Sequence, residues 1–218
     1  MRRARAVLPS RDLASWHRPA QRCSLIPVST SSRIALSQRS LGIILAVGSL
    51  VGVIASAELM FATLARAAGT KAEDLSCSAS PFISCGQTMV TWQGHLLGVP
   101  NPFSGLVAFA AMLAVGVFYT SGTRIPEWIR WGQLIGMGVG FAMVTLFQYT
   151  IFFVLDALCP WCMVIWSMTG PMFFASLANR FGWRPRMAVV LTVLWYAAII
   201  GMIAWKFGMR FLIWWGWV

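Results

Sequence analysis

The sequence predicts an all-α integral membrane protein, and three observations carry that expectation. The 218 residues are 58% hydrophobic, with a mean hydropathy of +0.72, well above a typical soluble globule. Five apolar segments are long enough to cross a hydrocarbon core of about 30 Å, which takes roughly 20 helical residues. Basic residues are also distributed very unevenly among the segments between them.

The expected spans are about Leu41–Leu64, Phe103–Thr120, Trp131–Leu155, Cys159–Ala178 and Met187–Trp205. They leave no room for a second globular domain. Three regions follow: a basic tail over 1–40, a membrane domain over 41–206 with its longest loop at 65–102, and a short tail over 207–218. The first tail is Arg- and Ser-rich, with Asp12 its only acid; it reads as disordered cytoplasmic chain or as a targeting segment. Arg outnumbers Lys 15 to 2, which tilts the reading towards a bacterial source.

The net charge of +11 is a topology signal and not a nucleic-acid footprint. Eight arginines precede the first span, Arg124 and Arg130 flank the second loop, and Arg180, Arg184 and Arg186 follow span four. The other face carries Arg66, Lys71, Lys206 and Arg210. Thirteen against four puts the amino terminus on the cytoplasmic side of a cell membrane. Tryptophans mark the span ends as interfacial anchors, Trp128, Trp131 and Trp183 at one face and Trp92, Trp161, Trp205, Trp214, Trp215 and Trp217 at the other.

Four of the five cysteines form two close pairs, Cys77/Cys85 and Cys159/Cys162. Both fall on the expected extracytoplasmic side, where disulfides persist. Cys23 lies in the opposite tail and reads as an incidental thiol. Pro160 suits the first position of a helix, which makes Cys159 the N-cap and sets Cys162 in the first turn. Both sulfurs then feel the positive end of the helix dipole, which favours thiolate.

In the long loop, Cys85, Met89, Trp92 and Leu96 recur at helical spacing, predicting a short amphipathic surface helix with Cys85 on its inner face. Cys77 sits in polar sequence and is expected to be reachable from solvent. Electrons entering at Cys77 would cross through a Cys85–Cys159 mixed disulfide to Cys159/Cys162, and a lipid-soluble two-electron acceptor such as a quinone would take them from there.

Other readings are weaker. Structural zinc pairs carry two to four intervening residues, whereas seven separate Cys77 from Cys85. Static disulfides, as in a non-catalytic quinone or lipid carrier, would leave function indifferent to Cys162→Ser; a bridge across Cys159-Pro-Trp-Cys162 is moreover strained and labile. Haem or iron–sulfur ligation lacks its ligands, since His95 is the only histidine beyond the tail. Glu58 inside span one is a functional candidate by its depth, though a snorkelling acid near the span end fits as well. Asp156, three residues before Cys159, reads as a solvated loop acid or a proton acceptor.

These residues resemble the vitamin K epoxide reductase family, in its bacterial form. The resemblance spans roughly Leu41–Ala178 and rests on Cys77-x7-Cys85, Thr91, Gly98-Val-Pro-Asn101-Pro-Phe-Ser-Gly105 and Ala157-Leu-Cys159-Pro-Trp-Cys162. It is similar in plan to the disulfide-generating DsbB proteins, with the order of the cysteine pairs reversed. The resemblance implies a four-helix bundle around a quinone site, a fifth transmembrane helix beside it, and thiol-driven reduction of a quinone. Cys77 and Cys85 would be the shuttle pair, Cys159 and Cys162 the active-site pair, and Thr91, Asn101 and Trp166 would line the pocket. Family members often carry Tyr where Trp166 stands.

The quinone would be menaquinone or ubiquinone, and reduction of vitamin K epoxide is the alternative purpose. Only Lys206–Val218 follow the last span, without a cysteine. The expected electron donor is therefore a separate thioredoxin-fold, DsbA-like protein outside the cell membrane.

Overall fold

The computed structural model describes residues 36–75, 77–78, 83–86, 92–95 and 98–216. Five long helices account for most of them: α1 (Gln38–Ala67), α2 (Asn101–Thr120), α3 (Glu127–Thr150), α4 (Pro160–Phe181) and α5 (Pro185–Trp214). All five are long and apolar enough to cross a membrane, and the protein is an all-α integral membrane protein. The five expected spans each have their helix. The last departs most in length, running past Trp205 to Trp214 through what the sequence assigned to a tail. Residues 1–35 lie outside the described residues, and Gln38 already opens α1.

The helix starts follow local chemistry. Ser37 caps α1, its hydroxyl accepting from the Ser40 N–H at 3.1 Å. Prolines at the first turn open α2, α4 and α5, where a missing N–H costs nothing. Gly182, at φ 66°, ends α4 in the left-handed conformation that lacks a Cβ penalty. At its cysteine end α3 loosens into a π-turn, Ile151–Leu155, closed by Asp156 at φ 52°. Such turns break the regular ladder and recur at functional sites.

α1 is the spine of the bundle: α2 lies along it, α4 packs on another side of it, and α3 packs on α4. α5 rests on the flank of α4 and on the π-turn of α3. It stands outside the four-helix group, and little of its surface is buried. Without a hydrophobic drive between helices in lipid, close approach depends on small residues. At Gly116 an added Cβ would fall 2.6 Å from the Ala46 backbone nitrogen, and at Gly42 2.7 Å from that of Thr120. Away from the cysteines, a buried Gln133 Nε2 donates to Ser176 Oγ at 2.6 Å, tying α3 to α4.

Gly116→Leu should lower stability by about 1–3 kcal/mol through overpacking against the α1 backbone. Gly140→Ala, where an added Cβ meets nothing within 4 Å, is the neutral control. Thermal melting of both variants in detergent checks the contrast.

Candidate active site

The site gathers at one end of the bundle, where α1 ends, α3 gives way to its π-turn and α4 begins. Cys159 is the N-cap of α4, with extended backbone (φ −104°, ψ 114°), and its Sγ accepts the Cys162 N–H at 3.3 Å. Pro160 fixes this start, as the sequence predicted. Cys162 follows in the first turn, half-buried, and both cysteines are free thiols.

A short backbone contact brings the loop cysteines to them. Ile83 pairs with Leu158 in an isolated parallel bridge, and the Ser84 N–H donates to the Leu158 carbonyl at 2.9 Å. Each bridge residue lies next to or near a cysteine in sequence, so the pairing aligns Cys85 with Cys159. Their sulfurs are 3.6 Å apart. Cys85 is also bonded to Cys77 in a disulfide, Cα to Cα 5.8 Å.

Around the sulfurs lies an apolar cluster. Leu59 and Ala62 of α1, Leu75 of the loop, Phe152 of the π-turn, Leu158, Trp166 of α4 and Phe207 of α5 are buried together with Cys77, Cys85 and Cys159. The Trp166 ring sits 5.9 Å from that of Phe152, and its carbonyl accepts from Trp195 Nε1 of α5 at 3.4 Å.

Several expectations meet this geometry differently. Cys85 is fully buried against the bundle, as its place on an inner face required. Cys77 is not solvent-reachable: only 8% of its surface is exposed. The neighbouring Leu75 is buried in the cluster, and Ser78 Oγ donates to the Ala72 carbonyl at 2.6 Å, tying the segment after Cys77 back to the polar run before it. Within the expected surface helix, the described residues hold a 3₁₀ turn over Trp92–His95, with Trp92 73% exposed and turned away from the bundle. Thr91, Met89 and Leu96 lie outside the described residues.

Asn101 is the first residue of α2, half-buried, on a helix whose packing is chiefly with α1. Trp166 is 1% exposed and packed on all sides, so it forms a wall behind Cys162 with no open face. Glu58 is exposed on α1, which fits the snorkelling reading.

Asp156 is no free loop acid. Lys206 Nζ lies 2.9 Å from one of its carboxylate oxygens and an Arg210 guanidinium nitrogen 3.5 Å from the other. The hydrogen bond from Lys206 is the largest influence on the carboxyl. With the charges of Lys206 and Arg210, and against desolvation, it holds the group below its ordinary value of 3.8. That disfavours a role as proton acceptor. Sequence reading treated Lys206 and Arg210 only as topology charges. Their i, i+4 spacing on one helix, facing a lone loop acid, was the signal for this contact.

Among the described residues no cluster of three or more His, Cys, Asp or Glu side chains is placed to hold a metal ion. Two cysteine pairs in contact at the end of a helical membrane bundle define a multi-pass membrane redox protein working through thiols. Residues 43–177, well over half the chain, match the vitamin K epoxide reductase family. The chain belongs to that family, whose members are membrane enzymes that use thiols to reduce quinones or epoxides. No curated protein matches the sequence closely.

Two predictions follow from the contacts. In a Cys77→Ser/Cys162→Ser variant the remaining site sulfurs should join as a Cys85–Cys159 disulfide under mild oxidation. Peptide mass spectrometry under non-reducing conditions reads it, and recovery of both as free thiols would contradict the 3.6 Å approach. The depressed Asp156 carboxyl stabilises the fold above its unfolded value, and that contribution is lost as pH falls through the folded value, below 3.8. Asp156→Asn should therefore flatten the acid limb of the melting temperature against pH.

Proposed function

We propose that this protein is a membrane thiol:quinone oxidoreductase that reoxidises a thioredoxin-fold, DsbA-like dithiol protein and so supports disulfide formation outside the cytoplasm. The observation that carries the reading is the contact between the pairs, Cys85 Sγ to Cys159 Sγ at 3.6 Å. Its catalytic residues are Cys77, Cys85, Cys159 and Cys162.

In the first step the donor's dithiol reduces the Cys77–Cys85 disulfide and becomes a disulfide itself. The Cys85 thiolate then attacks Cys159 of an oxidised Cys159–Cys162 pair; that bond breaks and Cys162 leaves as a thiolate. Cys77 next attacks Cys85 in the mixed disulfide and expels Cys159. The outer disulfide is restored, and both electrons rest on Cys159 and Cys162.

A quinone, when bound, supplies the acceptor chemistry, taking up two electrons and two protons. The residues present fit an apolar ring of that kind. Cys162 is flanked by the apolar Trp161, Met163 and Ile165. On the facing helix, one turn before Phe152, the buried Gln148 Nε2 has no hydrogen-bond partner, and a carbonyl oxygen would satisfy it. Trp166 would back the site, and Asn101 and Thr91 would complete it from α2 and the loop. Menaquinone and ubiquinone both carry the required carbonyls. The 13-to-4 charge asymmetry supports a cytoplasmic amino terminus and an extracytoplasmic cysteine end.

Purified protein with a reduced DsbA-like donor should reduce quinone, followed by its ultraviolet absorbance. Cys77→Ser, Cys85→Ser, Cys159→Ser and Cys162→Ser should each abolish turnover. Absence of turnover with any thiol donor sinks the quinone reading, and turnover on vitamin K epoxide alone would make the epoxide the acceptor.

A further inference from the structure

α5 is the one long helix wholly outside residues 43–177, yet it makes the most specific polar contact at the cysteine end. Lys206 Nζ and an Arg210 guanidinium nitrogen reach different carboxylate oxygens of Asp156, at 2.9 and 3.5 Å. The second guanidinium nitrogen of Arg210 donates to the Asp156 carbonyl at 3.2 Å. Between the two cations in sequence, Phe207 is fully buried in the cluster that holds Cys85 and Cys159. Its ring lies 6.3 Å from that of Phe152, in the π-turn immediately before Asp156.

Asp156 needs this support. It is the one described non-glycine residue at positive φ, 52°, an uncommon conformation that the surroundings must hold in place. Its backbone turn directs Ala157 and Leu158 towards Ile83, and Cys159 follows Leu158 directly.

We infer that Lys206 and Arg210 are positioning residues: they lock Asp156 in its left-handed turn and thereby set Cys159 against Cys85. The inference rests on the proposed exchange between those two sulfurs. Without the lock, the turn that carries Leu158 into its bridge loses its polar anchor, and the two cysteines meet less often.

The test uses the full chain in detergent with Cys23, Cys77 and Cys162 changed to Ser, leaving Cys85 and Cys159. A glutathione redox buffer sets the equilibrium: glutathione disulfide takes both electrons, the two protein thiols become one disulfide, and two glutathione molecules are released. Alkylation followed by mass measurement gives the fraction bonded. Lys206→Met/Arg210→Met should lower the Cys85–Cys159 equilibrium constant about 10- to 100-fold, because the effective concentration of one thiol at the other falls once their geometry is no longer held. Asp156→Asn should act in the same direction, and Lys206→Arg, keeping the charge, should restore most of the loss.

The control is the Cys77–Cys85 equilibrium, measured with Cys23, Cys159 and Cys162 changed to Ser. Positioning through Asp156 leaves that constant unmoved, whereas general loosening of the bundle lowers both. An unchanged Cys85–Cys159 constant, or an equal fall in the two, overturns the inference. Neither titration needs quinone or donor, so failure of the quinone reading and failure of this one are told apart.

Discussion

The isolated bridge between Ile83 and Leu158 is the contact on which the rest of the site depends. A loop from one side of the bundle and the short connection between α3 and α4 have no regular structure to align them. One backbone hydrogen bond, Ser84 N–H to the Leu158 carbonyl, fixes their register. Because the bridge sits within two residues of a cysteine on each strand, register in the backbone becomes contact between sulfurs. Everything larger serves to hold those two strands still: the π-turn that ends α3, the cap that begins α4, and the aromatic packing of Phe152, Trp166 and Phe207 beneath them.

Much of this was legible in the chain. Spans follow from length and hydropathy alone, since a bilayer leaves the backbone few alternatives to a helix. The N-cap role of Cys159 followed from Pro160, a local rule that tertiary context did not disturb. Cys85 facing inward was also readable, though from a helical seam of which the described residues keep only a 3₁₀ turn.

The rest escaped because it depends on long-range partners. A polar run such as Gly69–Asp74 reads as open loop, and nothing within it announces that Leu75 will anchor in the core and bury Cys77. Likewise, Lys206 and Arg210 read as the charged end of a span. Asp156, far away in sequence, pairs with both of them.

The burial of the sulfurs has a further consequence. Cys85 and Cys159 show no surface to water, and Cys77 very little. Soluble thiols and oxidants can exchange only with sulfurs they touch, so these three are shielded from them. Small thiols in the surrounding fluid should therefore react more slowly with these three sulfurs than with an exposed cysteine.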